Sequence, residues 1–169
     1  HLLQLSVNLP AADKMVPPRY QDLIGNDMPS RRLDGVEIRV FSGASGSTVA
    51  PTLNYAKVTV LDIRMQADRQ HEEQVPADYN VFLYVLEGDG TVGPDRHPVK
   101  AGQVVWMARP EAGGSSGILM RSGPGGMRVF FAGGLPLREP VVARGPFVMN
   151  TAEQVAQAYH DFRSGAFGA

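Results

Sequence analysis

The 169 residues carry 16 Lys and Arg against 17 Asp and Glu, which gives a formal net charge of -1. A balance this even argues against nucleic-acid binding through a basic surface, and the chain has no apolar run of the ~20 residues that span a membrane. The absence of cysteine excludes disulfides and thiolate metal sites. A cysteine-free chain also suits a reducing compartment, so we expect a cytoplasmic protein.

Alternating apolar and polar residues, the signature of half-buried strands, first occur at residues 3–9. Turns rich in Gly and Pro then separate further stretches of the same kind. These predicted strands lie at residues 36–40, 58–65, 80–87, 91–92, 99–107, 118–121 and 127–131. Short strands at this spacing are typical of an antiparallel sandwich or barrel.

One helix is predicted near the end of the chain. Thr151 and Gln154 have the spacing of a capping box, in which each side chain accepts a hydrogen bond from the backbone of the other residue. An apolar stripe at helical spacing follows, made of Val155, Ala158, Tyr159 and Phe162. We therefore expect the helix to pack through this stripe, with the ring of Phe162 buried.

Segments near both ends of the chain resemble one known family. Residues 3–10 (LQLSVNLP) and 14–23 (KMVPPRYQDL) resemble the middle of a pirin. Residues 133–141 (GGLPLREPV) and 145–151 (GPFVMNT) resemble the end of one. The chain departs from the family pattern at Ser6, where pirins usually carry Trp. The resemblance extends over essentially the whole chain.

Pirins consist of two cupin halves, and this chain resembles the C-terminal half. The resemblance implies an all-β fold, a cupin jelly-roll β-barrel with one C-terminal α-helix. We expect an N-terminal strand and connecting segment at residues 1–35, the barrel at residues 36–149, and the helix and tail at residues 150–169. The chain opens on His1 rather than Met, so we also expect a fragment or a processed form.

The known chemistry of pirins lies in their other half. There, three His and one Glu hold iron, and the family's activities are quercetin 2,3-dioxygenation and redox-dependent co-regulation of transcription. The resemblance therefore implies that this half is metal-free, has a structural or partner-binding role, and meets an N-terminal cupin half or another copy of itself. We predict no catalytic, cofactor-binding or metal-binding residue in this chain.

One segment still deserves comparison with a cupin metal site, which needs two His and a Glu on neighbouring strands and a His from a later strand. Residues 66–88 contain a single His, His71, with Glu72 and Glu73 beside it, and residues 113–117 contain none. One imidazole and two adjacent carboxylates do not make a three-ligand site. We interpret the segment as a solvated loop, with a weak or vestigial metal site as the alternative.

The remaining candidate residues have structural interpretations. Trp106 and Tyr84 fall on predicted strands, and we interpret them as core residues. His97 lies in a predicted turn, and His160 lies off the apolar stripe of the helix, so both are expected at the surface.

Two alternatives remain open beside the structural half. In the first, the intact protein is an iron-dependent quercetin 2,3-dioxygenase and this chain is its C-terminal part. In the second, the barrel binds a small ligand without metal. Metal analysis tests the first alternative, and a search for co-purified small molecules tests the second. We further expect a dimer, because a strand at residues 3–9 without its second half would expose an unpaired edge.

Overall fold

The computed structural model describes residues 2–108 and 115–166 of the chain. The chain divides into two compact units. Asp22–Pro136 form the first, which we call the barrel unit. The residues up to Gln21 together with those from Leu137 onward form the second, which we call the helix unit.

The barrel unit is built from antiparallel strands connected by turns. In chain order they are β1 (Ser30–Leu33), β2 (Val36–Ser42), β3 (Ala44–Ser45), β4 (Thr48–Val49), β5 (Val58–Met65), β6 (Gln70–Pro76), β7 (Asn80–Val92), β8 (His97–Lys100), β9 (Val104–Trp106) and β10 (Ser115–Gly134). The main sheet has the order β1-β2-β5-β10-β7-β8, with β6 paired to β10 and β9 paired to β7.

The long strand β10 joins the two sides of the barrel. Its residues 115–121 pair with β6, whereas its residues 127–134 pair with β5. Strand β7 pairs with β10 at residues 120–122 and again at residues 127–134. The sheet therefore folds back on itself near the middle of β10 and encloses a shared interior.

Glycines allow the bend in β10. The register of β10 against β7 shifts between Ser122 and Met127. Gly126 and Gly88 meet there with φ angles of 78° and 75°, a backbone region that favours glycine. A Cβ atom on Gly88 would lie 2.0 Å from the carbonyl oxygen of Gly126, so no larger residue fits without a shift of the backbone.

Side chains from alternate strand positions fill the interior. In β2, β6 and the first half of β7, every second residue is buried. The largest fully buried apolar side chains are Phe131, Ile38, Leu61, Ile63, Leu83 and Met120. The prediction of an all-β fold with one C-terminal α-helix is confirmed.

The helix unit contains a hairpin and the helix that follows it. Its regular elements are a short 3-10 helix (Ala11–Asp13), β11 (Val142–Arg144), β12 (Phe147–Met149) and α1 (Ala152–Arg163). The rings of Phe147 and Tyr159 lie 4.9 Å apart, edge to face, and the Tyr159 hydroxyl donates to the carbonyl oxygen of Arg144 at 3.2 Å. These contacts hold α1 on the hairpin. Within the described ranges, no helix has the length and apolar character needed to cross a bilayer.

The predicted strand at residues 3–9 is wrong. These residues have no regular secondary structure, and Leu3, Leu5 and Val7 are exposed. Alternation is common to any extended backbone, and a strand also needs a neighbour to pair with its N–H and C=O groups. The dimer expected from an unpaired edge at this strand therefore loses its structural basis.

The capping box of α1 is confirmed, but the burial of Phe162 is not. The backbone N–H of Gln154 donates to the Thr151 hydroxyl at 3.2 Å, and the Thr151 N–H donates to the Gln154 side chain at 3.1 Å. Val155 and Ala158 are buried as predicted. Phe162 remains 63% exposed, although its ring lies 6.1 Å from that of Phe147 on the hairpin.

Thr151→Ala should lower the free energy of unfolding by about 1 kcal/mol, the usual contribution of an N-cap side chain. Phe162→Ala should cost less than about 1 kcal/mol, since most of the ring is already in water. Urea denaturation measures both changes, and Thr151→Ser serves as the control that keeps the cap. A loss near 3 kcal/mol for Phe162→Ala would show that the ring packs in solution as a buried side chain does.

Candidate functional site

Two ionisable side chains of β6, one histidine and one glutamate, lie inside the barrel. His71 and Glu73 are separated by one residue, so they project from the same face of the strand. Their side chains are 5% and 1% exposed. On the neighbouring strand β10, Met120 and Ile118 lie opposite them, so the pair sits among apolar side chains.

A chain of hydrogen bonds connects this pair to β1. The Nε2 atom of His71 lies 2.8 Å from Oε2 of Glu73. The buried Ser45 hydroxyl donates to the same carboxylate oxygen at 2.9 Å. Arg31, on β1, donates from Nη1 to the Ser45 oxygen at 3.3 Å. We call His71, Glu73 and Ser45 the buried polar cluster, and the half-buried Arg31 borders it.

The two carboxylate oxygens of Glu73 differ in their hydrogen bonding. Oε1 of Glu73 is buried, and it has no hydrogen-bond partner among the described residues. An unpartnered carboxylate oxygen in an apolar interior is costly. The contacts of the other oxygen with His71 and Ser45 must offset that cost, so the cluster is sensitive to the loss of any one member.

The interpretation of residues 71–73 as a solvated loop is wrong. Glu72 is exposed, but His71 and Glu73 are buried in the regular alternation of β6. A usable signal was present in the sequence, since His71 and Glu73 continue into Val75 and Ala77 at two-residue spacing. Their polarity hid the pattern, because an ionisable residue is rarely buried without a partner.

The described residues of this chain do not form an iron site of the kind that the family resemblance implies for the other half. Among the described residues, the barrel interior offers the imidazole of His71 and the carboxylate of Glu73, and these contact each other. Across residues 2–108 and 115–166, no three His, Asp or Glu side chains come close enough to hold one ion. His97 and His160 are both exposed, as expected, and His160 lies in the helix unit. The expected later His position, residues 113–117, falls partly outside the described residues.

A second feature lies on the outer face of the barrel. Phe82 and Tyr84 of β7, Val104 and Trp106 of β9, and Phe130 of β10 project from this face, and we call them the aromatic patch. The ring of Phe82 lies 5.1 Å from that of Trp106 and 6.3 Å from that of Phe130. Trp106 is 72% exposed and Val104 is 50% exposed.

The interpretation of Trp106 as a core residue is therefore wrong. Trp106 pairs with Phe82, and Phe82 lies on the outward side of β7, so the pairing turns the indole outward as well. Tyr84 shares that outward side and is half-buried rather than in the core. Their positions on predicted strands favoured the interior for both rings, but strand register decided the outcome.

Charged residues border the aromatic patch and bind one another. Arg128 of β10 donates two hydrogen bonds to Asp62, both of 2.9 Å, and one to Glu87 of 3.0 Å. The hydrogen bonds to Asp62 are the main cause that raises the pKa of Arg128. Arg64 lies 3.8 Å from the same Asp62 carboxylate. The charges at this border are thus compensated within the chain.

An open cleft lies beside the patch. It has a volume of about 510 Å³, and its lining includes Val99, Val105, Met107, His97 and Trp106. Val99 is a core residue and Val105 and Met107 pack against the core, so the cleft reaches the edge of the interior. The lining combines aliphatic side chains with the imidazole of His97 and the amide of Gln103, and its exposed surface is more polar than apolar, so it suits a small molecule that carries polar groups.

Comparison with known proteins places the chain in a family. The model of the pirin C-terminal cupin domain matches residues 60–168. The chain is 34% identical to a pirin-like protein of Solanum lycopersicum and 34% identical to pirin of Homo sapiens, over 98% and 99% of its length. It spans only 56% and 57% of those two relatives.

A solved structure gives the same result. Quercetin 2,3-dioxygenase from Acinetobacter baumannii is 30% identical to the chain and superposes with a TM-score of 0.85. The similarity covers 96% of this chain and 55% of that protein. Both comparisons thus match the chain to about half of a longer protein.

The buried polar cluster predicts a specific pattern of stability changes. His71→Leu and Glu73→Leu should each cost about 3 kcal/mol, because either change leaves a buried polar group without its partner. The double variant should cost much less than the sum of the two single changes, since it leaves neither group behind. Urea denaturation of the four proteins measures the coupling.

Glu72→Leu is the matched control for these variants. Glu72 lies between the two residues but is exposed, so the substitution should change the free energy of unfolding by less than about 0.5 kcal/mol. Additive losses in the double variant, or equal losses at Glu72 and Glu73, would contradict the placement of the cluster inside the barrel.

Proposed function

This chain is a member of the pirin family, and we propose that it acts as the structural, partner-binding cupin half of a longer protein. The filled interior of the barrel carries the proposal. Within the described part of the chain, aliphatic and aromatic side chains occupy it, and the His71 imidazole and Glu73 carboxylate among them bind each other. A metal-dependent oxygenase instead directs several N and O donors at an ion and keeps positions open for substrate. We further propose a cytoplasmic location, which suits the cysteine-free composition.

The lengths of the relatives support the same role. The chain matches 56% of the Solanum lycopersicum protein and 55% of the Acinetobacter baumannii protein, so each carries nearly as much chain again. In the proposal, this additional N-terminal half holds the iron and any chemistry that depends on it. The present chain completes and stabilises that half.

A second candidate is that the intact protein oxidises flavonols. The description of the Acinetobacter baumannii relative as a quercetin 2,3-dioxygenase favours it. In this candidate the oxygen chemistry again belongs to the N-terminal half. A third candidate, a small-ligand-binding cupin, is favoured by the cleft of about 510 Å³ beside Trp106.

Metal content and activity test the proposal directly. The chain, purified without a His tag, should contain far less than one metal ion per molecule by mass spectrometry. Under air with added Fe(II), it should oxidise quercetin no faster than the buffer with metal alone, because dioxygen activation needs an ion with open coordination positions.

The buried His71 provides the decisive variant, and the exposed His97 provides its control. Near-stoichiometric iron, manganese, nickel or zinc that is lost in His71→Ala and retained in His97→Ala would refute the structural role. A small molecule that co-purifies with the chain and is released by Trp106→Ala would instead favour the ligand-binding candidate.

A further inference from the structure

We infer that the aromatic patch is the surface on which this domain docks the N-terminal half of its own protein. The inference rests on the proposed function and adds the location of the contact. The patch consists of Phe82, Tyr84, Val104, Trp106 and Phe130, as defined above.

The patch is continuous across three neighbouring strands. Trp106 lies opposite Phe82, and Tyr84 lies opposite both Val104 and Phe130. Trp106, the only tryptophan of the chain, is 72% exposed although its side chain is one of the largest apolar ones. Contiguous apolar surface of this kind marks an interaction site, and Trp and Tyr are enriched among the residues that dominate binding energy.

The surroundings of the patch fit a protein surface rather than a charged ligand. Among the described residues, Asp62 and Glu87 at the border are each paired with Arg128. Burying paired charges at a rim costs less than burying isolated ones, and an apolar centre with a polar rim is the usual anatomy of a protein interface. The partner must therefore bring a mainly apolar surface.

The patch residues lie on paired strands. Trp106 and Val104 belong to β9, whose backbone pairs with β7, and the Trp106 indole contacts the ring of Phe82. Phe82 alternates along β7 with the buried Val81 and Leu83. Side chains fixed in this way lose little conformational entropy on docking.

The modest size of the patch favours a covalently joined partner. An association between separate chains usually buries about 800 Å² on each side, and five side chains supply only part of that. A half joined in the same chain has an effective concentration in the millimolar range, so a smaller surface suffices. The longer relatives contain such an additional segment, because this chain spans only 55–57% of their lengths.

Cysteine labelling tests the contact, because the natural chain has no cysteine. Val104→Cys places one thiol in the patch, and Val49→Cys places one at a site of the barrel unit that is 65% exposed and outside the patch. Each variant is prepared as the full chain and as the full chain preceded by the N-terminal part of the Acinetobacter baumannii relative. Iodoacetamide alkylation is followed by mass spectrometry of the labelled peptide.

The Val104→Cys thiol should react about tenfold or more slowly in the joined protein than in the chain alone, because the centre of an interface excludes water. The Val49→Cys thiol should react equally in both. Trp106→Ser should split a single unfolding transition of the joined protein into two, whereas Val49→Ser should not.

The remaining outcomes separate this inference from the proposed function. If the joined protein unfolds in one transition and both thiols react as in the chain alone, the halves dock elsewhere, so the inference falls and the proposed function stands. If the halves unfold independently and neither thiol is protected, both fall. Protection of the Val104→Cys thiol that grows with the concentration of the chain alone would assign the patch to a second copy and overturn the inference.

Discussion

Alternation of side chains along β7 and β10 governs both the interior of the barrel and its outer surface. One set of positions, which includes Leu83 and Phe131, fills the interior. The other set, which includes Phe82 and Phe130, forms the aromatic patch together with Trp106 of β9. A shift of register by one residue would exchange the two faces of a strand. The filled interior and the exposed patch are therefore two results of the same pairing.

The same pairing explains where the polar residues lie. His71 and Glu73 take the inward positions of β6, and the register with β10 places them opposite Met120 and Ile118. In that setting their mutual contact and the Ser45 hydroxyl satisfy most of their polar atoms. The His71 imidazole and the Glu73 carboxylate therefore bind each other inside the barrel.

Local patterns were enough to predict several elements. The alternation at residues 58–65 coincides with β5, and the spacing of Thr151 and Gln154 located the start of α1, because both depend on neighbours in sequence. The family resemblance, confirmed by the match at residues 60–168, supplied the fold.

Contacts between distant segments account for the errors. Residues 3–9 alternate as a strand does, but no neighbouring strand within the described residues pairs with them. The orientation of Trp106 depends on its pairing with Phe82, which lies 24 positions earlier in the chain. The burial of Glu73 depends on a hydroxyl at Ser45 and an imidazole at His71, and no local pattern announces that the three will meet.

Fluorescence of Trp106 tests most directly whether the outer face is built to be covered by the other half. The emission of Trp106 is obtained by subtracting the spectrum of the Trp106→Phe variant from that of the unchanged protein. Both spectra are measured for the chain alone and for the chain joined to an N-terminal half. The account predicts red-shifted emission that acrylamide quenches readily in the chain alone, and blue-shifted, protected emission in the joined protein. Equal emission and equal quenching in both would contradict it.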